Sequence, residues 1–98
     1  MCFEIIDQQD RIAVILSGTF GVKEAASIRQ QLFPLIYNGA VDVVFHLGSV
    51  TDIDSAAMGL LLAVKRIALD RQTNAAFLDV PAALRERLQL SGILQGPA

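Results

Sequence analysis

Residues 51–60, TDIDSAAMGL, set two carboxylates, Asp52 and Asp54, beside a serine, Ser55, and then turn apolar. Three chemistries are open to such a group. A serine can attack a carbonyl if a base takes its proton, paired carboxylates can share a hard cation, and a hydroxyl can accept a phosphate. A fourth role is structural, because Ser and Asp are favoured helix N-caps whose side-chain oxygens accept from orphan backbone N–H groups.

The first two chemistries lack supporting residues. A nucleophile elbow needs glycine two positions either side of the serine, where this chain has Ile53 and Ala57. The one histidine, His46, lies in an apolar run and reads as a satisfied core or strand-end residue, so no Ser-His-Asp triad is expected. Asp52 and Asp54 have no third acidic ligand and no basic partner nearby, and solvated loop acids with a helix cap account for them. Gly18-Thr19-Phe20-Gly21 has no lysine and no Gly-x-Gly-x-x-Gly spacing, which makes it a poor phosphate cradle. We therefore expect no enzyme, no catalytic residue, no metal and no cofactor. The third chemistry survives: in the first turn of a helix, free N–H groups and the positive end of the dipole favour an added phosphate.

The elements that must position Ser55 are legible from periodicity. Residues 2–6 and 11–17 are apolar runs rich in β-branched residues, joined by the polar Asp7-Gln8-Gln9-Asp10, which predicts a hairpin. In the second run the outward set is only partly polar, so the strand is expected to be covered on both faces. Residues 18–21 break it. Residues 22–37 place Val22, Ala25, Ile28, Leu32 and Ile36 at helical spacing, with Pro34 expected to kink or end the helix and Asn38-Gly39 to supply left-handed residues after it.

Residues 41–47, VDVVFHL, are nearly continuous apolar sequence, as in a parallel strand buried on both faces. A loop over residues 48–54 follows, then a helix over 55–71 with Ala57, Leu61, Val64 and Ala68 on one stripe. Gly59 weakens that helix, which suggests that something approaches closely there. Residues 75–79 form a last short strand, and Pro81 opens a third helix with Ala83, Leu84 and Leu88 on its stripe, stopped by Ser91-Gly92. Alternating strands and helices with short connections predict an α/β fold, a small mixed or mostly parallel sheet with helices packed against it.

With 98 residues the chain suits a single domain over 1–98, and 53% hydrophobic against 18% charged residues suits a packed core. A net charge of −2, with basic groups concentrated only at Lys65-Arg66 and Arg85-Glu86-Arg87, argues against a nucleic-acid partner. Cys2 is the sole cysteine, which fits a reducing cytoplasm, and no signal peptide or membrane-inserting span is evident.

FHLGSVTDIDSAAMGLLLAVKRIA resembles the signature of the STAS domain, the fold of bacterial anti-sigma factor antagonists, in which a strand, a short loop, Asp-Ser, a small residue, Gly-Leu-Gly and an apolar helix follow in order. ILSGTF and FLDVPAALRERLQLSGIL resemble further parts of the family, so the likeness spans nearly the whole chain. Asp54, Ser55 and Gly59 align with signature residues and Met58 replaces a leucine. The resemblance implies that Ser55 is phosphorylated by a serine kinase that is also the anti-sigma factor. It also implies that Asp52, Asp54, Ser55, Met58 and Gly59 form the partner face, and that the added charge releases the partner.

Four departures from the family pattern stand out. Ala56 and Ala57 replace its second serine and glycine, stiffening the junction. Asp52 replaces an apolar residue, so a phosphoserine at position 55 is strained unless Asp52 turns into water. Thr19-Phe20 stand where the family has acidic residues. The chain reaches Ala98 soon after Ile93-Leu94, so the customary last strand is expected to be a stub and the C-terminal helix shortened or absent, leaving an apolar surface that favours a homodimer or docking. The alternative role is a STAS scaffold subunit, without phosphorylation, in a lipid-transport or stress-signalling complex.

Overall fold

The computed structural model describes residues 2–39 and 41–94. Its elements run β1 (Cys2–Asp7), β2 (Arg11–Phe20), α1 (Val22–Tyr37), β3 (Asp42–Ile53), α2 (Ser55–Asp70), β4 (Ala75–Leu78) and α3 (Ala82–Leu90). The hairpin closes as its composition predicts: Asp7 Oδ1 accepts from the Gln9 N–H at 3.0 Å, and Gln9 takes a φ of +73°. The sheet is ordered β1-β2-β3-β4, with β1 antiparallel to β2 and the other two pairs parallel, which is the expected mixed α/β sheet.

The core lies between one face of this sheet and all three helices. Ile12, Val14 and Leu16 of β2 and Val43, Phe45 and Leu47 of β3 meet Ile28 and Leu32 of α1, Leu60, Leu61 and Val64 of α2, and Leu84 and Leu88 of α3. The expectation that β2 and β3 are covered on both faces is overturned. On the opposite face Ile15 and Leu78 are 39% and 42% exposed, and His46 beside them is half-buried rather than a core residue. The cause is topological. Strands β2, β3 and β4 are laid down in one direction, and successive right-handed crossovers in one direction put α1 and α2 on the same side, where α3 also packs through Leu84 and Leu88.

Two strands are longer than their patterns imply. β2 does not break at Gly18 but runs to Phe20, and most of the expected loop over 48–54 is the end of β3. Gly18 adopts a φ of +80° and the register shifts on both sides of it. That bulge lets the paired ends continue as far as Phe20 opposite Ile53, both of which are buried.

The helices follow their stripes with local exceptions. α1 runs on past Pro34 to Tyr37, and Asn38 caps it in a right-handed conformation rather than the expected left-handed one. Val22 is 63% exposed and Ala83 is exposed, so neither belongs to the core. Ile93 is buried and Leu94 packs against the core, while Lys65 Nζ donates to the Gly92 and Ile93 carbonyls at 2.9 and 3.0 Å. After α3 the chain itself covers part of the core as far as Leu94, while Leu90 at the end of α3 is 81% exposed. What was expected of the stretch from there to Ala98, a stub of strand and a shortened or absent helix, lies outside the described residues. Among the described residues no helix is long and apolar enough to cross a membrane.

Candidate functional site

Because β2 and β3 are parallel neighbours, the helices that follow them start side by side at the carboxyl end of the sheet. Asp54 ties the two starts together. As the N-cap of α2 it accepts from the Ala57 N–H through Oδ1 at 2.9 Å, and through Oδ2 it accepts from the Val22 N–H of α1 at 3.1 Å. One carboxylate thus serves two helix N-termini, where both dipoles favour negative charge. Gly21 makes this possible. A Cβ at that position would lie 3.0 Å from Asp54 Oδ2, so a side chain would displace the carboxylate from Val22. The Gly21 N–H is in turn held by Glu24 Oε1 at 3.0 Å.

The serine is therefore not the cap. Ser55 is the first residue of α2, exposed, and among the described residues its hydroxyl makes no hydrogen bond to the protein. Asp54 occupies the Ala57 N–H, and the N–H groups of Ser55 and Ala56 head the helix without a preceding turn to accept them. His46 is remote from this group, nine residues before Ser55 on the open face of β3 and about 23 Å along an extended strand from the strand's end at Ile53. It is not placed to act as a base for Ser55.

Asp52 and Asp54 part ways. Asp52 is exposed to water and also has a basic partner: Arg87 of α3 donates from Nη1 to Asp52 Oδ1 at 3.1 Å and from Nη2 to the Ile53 carbonyl. The Arg87 hydrogen bond, helped by one from the Ile53 backbone, holds the Asp52 carboxyl below the usual carboxylate range. Both side chains are substantially exposed, at 45% and 65%, so this pair contributes little to stability. Among the described residues no group of three or more His, Cys, Asp or Glu is placed to hold a metal ion.

Met58 and Gly59 lie one turn beyond Ser55 on α2. Met58 is half-buried against the core and Gly59 is exposed, with nothing within 4 Å of where its Cβ would stand. The close approach that Gly59 suggests is thus not made among the described residues. Three surface depressions lie elsewhere among the described residues, and none of them is lined by Asp52, Asp54, Ser55, Met58 or Gly59. Of the expected site residues, Asp54 and Ser55 meet at the head of α2, Asp52 is tied to Arg87, and Met58 and Gly59 lie one turn further on; Gly21, Val22 and Arg87, which periodicity gave no reason to include, adjoin Asp54 and Asp52.

The family model described as Mlab, STAS domain matches residues 5–95. Among solved structures, the fold is similar to the anti-sigma factor antagonist SpoIIAA in its unphosphorylated form, with a TM-score of 0.81 and 20% identity over 91% of this chain and 83% of that one. The phosphorylated form of SpoIIAA, a Bacillus cell fate determinant, gives 0.82 and 21% identity over 94% of this chain and 85% of that one. Mglu gives 0.66 and 23% identity over 81% of this chain and 19% of that one. No curated protein matches the chain.

Proposed function

The chain belongs to the STAS domain family, and from that premise we propose that it is a partner-switching regulator, anti-sigma factor antagonist-like, with Ser55 as phosphoacceptor. The observation that carries this reading is the Ser55 hydroxyl, exposed and unbonded at the head of a helix whose capping is done by a different residue. A hydroxyl free of structural duty can be modified without dismantling the junction.

In the unmodified state the surface of Asp52, Asp54, Ser55, Met58 and Gly59 docks a serine kinase that is also an anti-sigma factor. Transfer of the γ-phosphoryl group of ATP forms the Oγ–P bond as the bond to ADP breaks, and the hydroxyl proton leaves to a base of the kinase. The product carries about −1.5 to −2 of new charge. Beside Asp52 and Asp54, that charge repels any partner surface built for a neutral hydroxyl, and the complex separates. The protein acts in the cytoplasm, where such a partner and ATP are available.

Incubation with ATP and the kinase encoded beside the gene tests this by mass spectrometry. A single phosphate on Ser55, absent from Ser55→Ala, is the expected result; no modification under conditions where the kinase is active removes the switch. A second reading then gains, in which the same face docks permanently in a lipid-transport or stress-signalling assembly. The alanines at 56 and 57, in place of the family's second serine and glycine, favour that reading.

A further inference from the structure

Among the described residues Arg87 is the one cation bonded to the segment that leads into Ser55, and it reaches that segment from α3, 34 residues further on than Ile53. One of its terminal nitrogens holds the Ile53 carbonyl, two residues before Ser55. The other holds Asp52. The two bonds differ in kind: the first ends on a partly buried backbone oxygen and anchors the guanidinium, whereas the second is an exposed ion pair that exchanges readily. We infer that Arg87 is the counter-charge of the switch, pairing with Asp52 while Ser55 is free and exchanging Asp52 for the phosphate once Ser55 carries it.

Chemistry favours the exchange. A phosphate dianion offers three acceptor oxygens and up to twice the charge of a carboxylate, and the planar guanidinium fork matches it in a bidentate fashion. Asp54 does not compete for Arg87, because its oxygens are taken up by the Ala57 and Val22 N–H groups. Two of the other cations are committed elsewhere. Lys65 is bonded to the Gly92 and Ile93 carbonyls, and Arg71 to that of Tyr37. Lys23, in the first turn of α1, is the rival candidate. The exchange would let the state of Ser55 be felt at α3, which lies outside the signature segment.

This inference rests on Ser55 being the phosphorylated residue, and its test does not depend on the kinase. Phosphoserine is installed at position 55 of the full chain by genetic encoding, and its second ionisation is followed by phosphorus NMR in the wild type and in Arg87→Gln, Arg87→Lys and Lys23→Gln backgrounds. A paired guanidinium favours the dianion and lowers that pKa, while Asp52 and Asp54 raise it. Arg87→Gln is expected to raise the ionisation by about half a pH unit or more from a reference near 6, Arg87→Lys to recover part of the difference, and Lys23→Gln to leave it unchanged. Equal values in the wild type and Arg87→Gln, or a shift in Lys23→Gln instead, would overturn the inference. Failure of the kinase to modify Ser55 would sink the switch and leave this titration readable.

Discussion

At the scale of single residues, Asp54 and Ser55 divide what one side chain was expected to do. Asp54 caps both helices, so Asp54→Ala leaves two N–H groups without their acceptor at about 1 kcal/mol each. Thermal unfolding should show Tm lowered by roughly 8 to 16 °C for a domain of this size. Ser55→Ala should stay within about 0.5 kcal/mol of the wild type in the same measurement, because no bond is lost. Asp52 supplies the pH dependence. Its carboxyl is held low by Arg87, so its favourable link is fully present above the unfolded carboxyl pKa of about 3.9 and is lost as pH falls through the lower folded value. A carbon NMR titration should find Asp52 below the ordinary range, and Arg87→Gln should return it upward.

At the scale of elements, α2 presents its first turns to solvent with a glycine where helix formation would prefer alanine. Gly59→Ala meets no neighbour and should stabilise the fold by about 0.5 to 1 kcal/mol in urea unfolding. The same variant should weaken partner binding at least severalfold if a partner's surface closes over Gly59. Stronger folding with weaker binding is the signature of a position kept for docking. The helices were legible because a 3.6-residue stripe is a local property, and Ala57, Leu61, Val64 and Ala68 are buried as their spacing predicts. The ends of β2 and β3 were not, because Gly18 reads locally as a breaker while the pairing that carries the strands past it is made between segments far apart in sequence. Arg87 was hidden for the same reason: within Arg85-Glu86-Arg87 nothing local distinguishes the residue that reaches Asp52.

At the scale of the whole molecule, the sheet has one covered face and one open one, and substitutions should report the difference. Phe45→Ala, in the core and stacked on Phe77, is expected to cost about 3 to 5 kcal/mol, and Leu78→Ala on the open face less than about 1 kcal/mol, both by urea unfolding. An apolar run alone does not say which of its faces a helix covers; the direction of the crossovers does. That topology also places Ser55, since parallel strands with helices on one side bring the starts of α1 and α2 together and leave it exposed at the head of α2. The central claim is that phosphate on Ser55 releases a bound partner. Calorimetric titration of the adjacent-gene kinase with the hydroxyl and phosphoserine forms of the chain tests it directly: affinity at least about tenfold weaker for the phosphoserine form, or 1.4 kcal/mol, is expected, and equal affinity for the two forms would contradict the account.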